Sequence, residues 1–297
     1  MPVFPNTSVL VIGGGSRIAE ALHIRYGGNI RWISRRTTGR PNERCVADYG
    51  AIPADVFLGV DCVVNCVGIS EGTPAELKHV NCDLPLKFVA DARAAGVRRF
   101  IHISSFSVYG GATAICRETE PAPVSDYGRS KLAADCALGA MASPTFAVIL
   151  LRLPLVYGRN SMGKLHQLLR LWRRAGLMPT PRGDVARSMI GVDLTARVIS
   201  RLIVEGFDGQ IAFAADPRPF TYADTARARP RDRLRLLPVP LTLSRLVVRL
   251  LPGLGTRLLT DSRLADRDNL AIKYDLGSDL YDDIAAADPA KSFERTI

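Results

Sequence analysis

A globular chain of 297 residues buries about three quarters of its unfolded surface, so it needs neither disulfide nor metal staples to fold. Its 47% hydrophobic and 23% charged residues exclude an intrinsically disordered chain. The net charge of +10 points to anionic partners, yet only six of the 39 basic residues are lysine, so genomic bias toward arginine explains part of it.

Cys45, Cys62, Cys66, Cys82, Cys116 and Cys136 lack Cys-x-x-Cys spacing, and nothing in them calls for a disulfide scaffold. Arg245, Arg249 and Arg257 interrupt the most apolar stretch, so no run reaches the ~18 residues of a membrane span. Residues 1–8 lack the basic and long apolar regions of a signal peptide. The expectation is a cytoplasmic protein with no integral membrane segment and no nucleic-acid module.

In chain order, Ser8–Ile12, Ile30–Ser34, Cys62–Cys66, Phe100–Ser104 and Ala147–Arg152 are apolar on both faces, as central parallel strands must be. Glu20–Tyr26, Ala75–Ala95 and Arg129–Met141 carry helical periodicity between them, and Gln210–Ala214 reads as a later strand. This alternation predicts an α/β fold with a doubly wound parallel sheet. Residues 1–158, with 187–217 returning, form the predicted sheet domain; 159–186 and 218–297 form a smaller one. Arginines crowd 218–235, Leu168–Trp172 reads as a helix with Trp172 in the core, Leu241–Leu259 reads as an amphipathic helix, and the last dozen residues read as a tail.

Chemistry is concentrated at three places. Gly13-Gly-Gly-Ser-Arg-Ile-Ala19 lies between the first strand and its helix, where backbone N–H groups and the helix N-terminus receive a pyrophosphate. Gly13, Gly15, Ser16, Arg17 and Ile18 are the candidate contacts. At the end of the second strand, where an acidic residue would bind the ribose hydroxyl of NAD, stand Arg35 and Arg36. Arginine there accommodates the additional phosphate of NADP, so NADP is expected, with NAD the alternative. Third, Tyr127 and Lys131 share a helix face at i and i+4. At ~4 Å and an effective dielectric of ~20 their interaction is worth about 4 kcal/mol, enough to bring a phenol toward neutrality as an acid-base group.

With Ile103-Ser-Ser-Phe-Ser-Val-Tyr-Gly110 at the end of the fourth expected strand, the chain resembles the extended short-chain dehydrogenase/reductases, the NAD-dependent epimerase/dehydratase family acting on nucleotide sugars. The resemblance also runs through Ala47-Asp48, Asp61–Gly68, Val80-Asn81, Ala95–Ser105, Leu151–Gly158 and Arg187–Asp193. It implies a Rossmann domain with a smaller C-terminal substrate-binding domain. It further implies that Ser105 hydrogen-bonds the reacting sugar oxygen, Tyr127 exchanges its proton and Lys131 holds the nicotinamide ribose. Asp48 would contact adenine, Asn65, Val67 and Gly68 would line the cofactor, Asn81 would support the site, Pro154 would lie near the nicotinamide and Arg187 would grip the substrate diphosphate.

Ile12, Ser16 and Ala19 replace the Thr and the second and third Gly of the family's Thr-Gly-x-x-Gly-x-x-Gly. Phe106-Ser107 stand where dehydratases carry Asp-Glu. Epimerase or 4-keto-reductase chemistry at C4 is therefore expected, with a possible homodimer through helices flanking the Tyr–Lys segment. The rival readings are a catalytically idle dinucleotide-binding protein and a basic surface binder. His23, His79, His102 and His166 lack metal-ligand spacing and are expected as packed or surface side chains.

Overall fold

A computed structural model describes residues 7–26, 30–158, 176–181, 185–222, 224, 235–240 and 261–278. The expected helices at Leu168–Trp172 and Leu241–Leu259, His166, the arginines between 227 and 233 and the C-terminal tail lie outside these residues.

Seven strands form one sheet: β1 Val9–Ile12, β2 Ile30–Ser34, β3 Glu43–Cys45, β4 Cys62–Asn65, β5 Arg99–Ser105, β6 Ala147–Leu153 and β7 Ile211–Phe213. Their order is β7-β6-β5-β4-β1-β2-β3, and every pair is parallel. The chain runs outward from β1 to one edge, returns to β4 and continues to the other edge. This reversal opens a crevice at the carboxyl ends of β1 and β4, where ligands bind in doubly wound sheets. The fold is the Rossmann arrangement that the sequence predicts.

Burial explains why these segments are strands. Val9, Val11, Ile12, Val63, Val64, Phe100 and Ile101 have no solvent exposure, as residues covered on both sheet faces must. The flanking helices are α1 Arg17–Tyr26, α2 Pro74–Lys78, α3 Leu84–Ala94, α4 Asp126–Gly139 and α5 Val192–Glu205. Phe57, Phe88, Val89, Leu138 and Phe146 fill the core against the sheet.

The single helical segment expected over 75–95 is divided by a π-helical turn at His79–Asp83. Pro85, at the start of α3, is the physical reason, because a proline ring cannot follow an ordinary turn without striking the carbonyl four residues earlier. Asn81 lies in this wide turn. Its amide bridges the N–H and carbonyl of Ile69 at 2.9 Å each and donates to Ser130 Oγ at 3.0 Å.

The chain divides into two compact units, Met1–Gly110 with Glu120–Leu153 and Thr195–Ala214, and Gly111–Thr119 with Pro154–Leu194 and Ala215–Ile297. Short pairings build the second: Leu155–Tyr157 with Met189–Gly191, Ala186–Arg187 with Phe220–Thr221, Arg263–Leu264 with Ala114–Ile115, and Leu177–Pro181 with Arg235–Val239. Within it the Asn269 amide brackets Ala215, accepting from its N–H at 3.1 Å and donating to its carbonyl at 3.0 Å.

In the first unit, Arg152 of β6 pairs with Asp135 of α4 at 2.8 Å with both side chains almost wholly buried. A second guanidinium nitrogen donates to the Tyr109 hydroxyl at 2.5 Å. Breaking such a pair strands a charge in the core. Arg152→Met is expected to destabilise the protein by about 3 to 5 kcal/mol, whereas Arg152→Met with Asp135→Leu recovers most of the loss. Urea unfolding midpoints of the three proteins check this.

Candidate functional site

The candidate site begins where β5 ends. Ser104 is buried, whereas Ser105 is half-buried and its Oγ accepts the Ser107 N–H at 3.1 Å, capping the short turn Phe106–Tyr109. Helix α4 starts beside that turn. Ser125 caps it by accepting the Gly128 N–H at 3.1 Å, and a Cβ at Gly128 would collide with the Ser107 carbonyl oxygen. The glycine after Tyr127 therefore lets the helix approach the turn after Ser105. These contacts bring the Ser105 and Tyr127 segments together, with Tyr127 half-buried.

One turn along the same face, Lys131 is 3% exposed. Its Nζ donates to the Ile103 carbonyl at 2.6 Å and lies 3.0 Å from His102 Nε2. Burial pulls the amine down to about 8, against the opposing attraction of Asp135 one further turn on. Burial pushes the Asp135 carboxyl upward, and Arg152 counters that push.

His102 has no exposure, and burial together with the neighbouring Lys131 holds its imidazole well below the ordinary histidine value. Its Nδ1 lies 3.0 Å from Asn65 Nδ2, while Asn65 Oδ1 accepts the Val67 N–H at 3.0 Å. A continuous polar chain thus links the 65–68 turn to Lys131. Sequence reasoning assigned Asn65 and Lys131 to the site but gave His102 only a packing role. The available signal was register: Asn65 and His102 are directly paired on adjacent buried strands.

The Gly-rich turn meets the 65–68 turn. Gly13 has φ +92°, and a Cβ there would press to 2.9 Å from both the Cys66 carbonyl carbon and the Val67 nitrogen. A Cβ at Gly14 would collide with Ser34 Oγ, whereas one at Gly15 meets nothing within 4 Å. The turn is therefore closed on its protein side and open at Gly15, and these residues fit a dinucleotide pyrophosphate. Ser16, in place of a family glycine, accepts the Ala19 N–H at 3.1 Å across the first turn of α1, and Ala19 is fully buried. Arg17 is exposed and Ile18 half-buried at the helix N-terminus.

Beyond β2, Arg35 and Arg36 are exposed, and the Arg35 guanidinium lies 5.6 Å from the centre of the Tyr49 ring. Two residues that the sequence did not reveal shape this edge. Glu43 of β3 accepts from Ser34 Oγ at 2.6 Å, Thr38 Oγ1 at 2.7 Å and the Thr38 N–H at 2.8 Å. These bonds hold its carboxyl down to about 2. Arg40 donates to the Gly14 carbonyl and stacks 4.7 Å from the Trp32 ring centre.

Asp48 is exposed and accepts the Gly50 N–H at 3.1 Å, and Gly68 is exposed close to the Asn81 amide. Pro154 and Arg187 belong to the second unit, where Arg187 restrains the rise of the buried Tyr222 phenol, which burial pushes up to about 12. All six cysteines are free, and burial pushes the Cys62 thiol up to about 12. Among the described residues no helix is long and apolar enough to cross a membrane.

Among known proteins, the chain is 33% identical over 132 residues to a UDP-glucose 4-epimerase of Vibrio cholerae, covering 41% of this chain and 40% of that one. It is 30% identical over 168 residues to a dTDP-4-dehydrorhamnose reductase of Sinorhizobium fredii (strain NBRC 101917 / NGR234), covering 54% of each. The chain spans about half the length of the curated relatives it matches, or less. The solved structure of UDP-glucuronic acid 4-epimerase from Bacillus cereus in complex with NAD superposes with a TM-score of 0.73 at 16% identity, covering 94% of this chain and 96% of that one. Residues 9–211 match the model of the NAD dependent epimerase/dehydratase family. The glycine turn, the Ser105 and Tyr127–Lys131 segments and the parallel sheet all lie within or across that span, and the chain belongs to this family.

Proposed function

We propose that this protein is an NAD(P)-dependent nucleotide-sugar oxidoreductase that acts at sugar C4 through Ser105, Tyr127 and Lys131. The observation that carries the reading is the delivery of the Lys131 amine, buried and lowered to about 8, to the Ile103 carbonyl of β5, two residues before the half-buried Ser105. The nicotinamide, when bound, supplies the redox chemistry of hydride exchange.

The chain's residues supply placement and proton handling. Gly13, Gly15, Ser16, Arg17 and Ile18 would receive the pyrophosphate at the N-terminus of α1. Asp48 would meet the adenine, while Asn65, Val67, Gly68 and Pro154 would line the dinucleotide. Ser105 would hold the sugar oxygen, Tyr127 would give or take its proton, and Lys131 would hold the ribose and keep the phenol acidic. Arg187, in the second unit, would grip the substrate diphosphate. The second unit is thus the substrate-binding part.

Two observations favour NADP and reduction over NAD and epimerisation. Arg35 and Arg36 stand exposed beyond β2, and the nearby Glu43 carboxylate is occupied by Ser34 and Thr38, so its oxygens have little capacity left for a ribose hydroxyl. The departures in the glycine pattern support a second reading, an idle dinucleotide-binding protein. The substitutions below separate the two.

Tyr127→Phe is expected to lower turnover of UDP-sugars by about 10²- to 10⁴-fold, the usual worth of a positioned acid-base group, with dinucleotide affinity kept. Absorbance at 340 nm with NADPH measures it. Wild type and variant that both bind the dinucleotide and both lack turnover would assign the idle reading. Arg35→Ala with Arg36→Ala is expected to weaken NADPH binding by about tenfold or more, as lost charge-assisted bonds do, and to spare NADH. Dinucleotide fluorescence titrations read the ratio, and tighter NADH than NADPH binding by wild type would reverse the assignment.

A further inference from the structure

Hydrogen-bond direction along the chain Val67–Asn65–His102–Lys131 can be read from its fixed end. A backbone N–H only donates, so the Asn65 atom 3.0 Å from the Val67 nitrogen is the carbonyl oxygen Oδ1. The other end of that amide is then Nδ2, a donor, and it lies 3.0 Å from His102 Nδ1. Nδ1 must accept, so the neutral ring carries its proton on Nε2. That proton faces Lys131 Nζ at 3.0 Å. An ammonium has three protons and no lone pair and cannot accept, whereas a neutral amine accepts from Nε2–H and still donates to the Ile103 carbonyl at 2.6 Å.

We infer that His102 is a positioning residue whose ring tautomer couples the protonation of Lys131 to the Asn65–Gly68 turn. The inference deepens the proposed function, since Lys131 and this turn belong to the same site, but it concerns the imidazole itself and stands apart from turnover.

The proton balance is simple. When Lys131 gains a proton it stops accepting, and Nε2 must become the acceptor. The ring then moves its own proton from Nε2 to Nδ1, with no change in its charge. Nδ1–H now opposes Asn65 Nδ2, so the amide must turn or withdraw, and the Val67 N–H loses its partner. Among the described residues the titratable groups that act on the lysine are His102 from β5, Asp135 on its own helix and Cys82 from the π-helical turn. Asp135 favours the ammonium but is itself pinned by Arg152 at 2.8 Å. Burial works against the ammonium and also against an imidazolium, which leaves tautomer exchange as the path.

The test is nitrogen-15 NMR of the histidine rings in the ligand-free wild-type chain. His23→Gln, His79→Gln and His166→Gln assign His102 by elimination without touching it. At pH above 9 the expected signature is a neutral ring with the proton on Nε2. On acidification through about 8, where Lys131 takes up its proton, the proton is expected to move to Nδ1 while the ring stays neutral. In Lys131→Met the Nε2 tautomer is expected to persist across the titration. A histidine that merely packs would keep one tautomer throughout in wild type, and that result would overturn the inference. So would an Nδ1-protonated ring at high pH, or an imidazolium formed near 6.5. The absence of turnover on every sugar would remove the proposed function but leave this result intact.

Discussion

The structure depends on burying polar side chains between α4 and the sheet. Most helices lay an apolar stripe on a parallel sheet, but the inward face of α4 carries Ser130, Lys131 and Asp135, all nearly without solvent. Each needs a partner, because an unpaired buried charge or donor costs more than the contact itself returns. The partners are the Ile103 carbonyl and His102 for the lysine, Arg152 for the aspartate, and Asn81 and the Tyr127 carbonyl for the serine. These demands fix the rotation of α4 about its axis and its height along β5. The Tyr127 segment is therefore placed by a network that lies behind it.

Much of this was legible in the sequence. Six of the seven strands stand out as apolar runs because both faces of a parallel sheet are covered, and a pattern of burial on both sides leaves no alternation to misread. The strand Glu43–Cys45 was not legible: it is a three-residue polar edge strand, and its identity comes from pairing with β2 and from the carboxylate that binds the loop after Ser34. The wide turn at 79–83 was also hidden, since helical periodicity survives one extra residue. Pro85 was its only mark.

The candidate site divides in the same way. Gly13, Ser105, Tyr127 and Lys131 are visible because each belongs to a spaced motif. His102 is not, because a histidine inside an apolar strand acquires meaning only from the residue opposite it on the next strand. Arg40 escapes for another reason. It reaches the glycine turn from a loop, using Trp32 as a flat support, and neither contact has a fixed sequence separation.

The packing of Gly13 has a consequence for how such a chain can change over generations. Its backbone rests on the peptide that joins Cys66 to Val67, so any larger side chain would wedge the first and fourth strands apart. Gly15 has no such neighbour, and Ser16 uses its hydroxyl to anchor the first turn of a helix. Drift at this loop is thus confined to its outward half: position 15 has room for a side chain, while position 13 is closed to mutation by the geometry of the sheet beneath it.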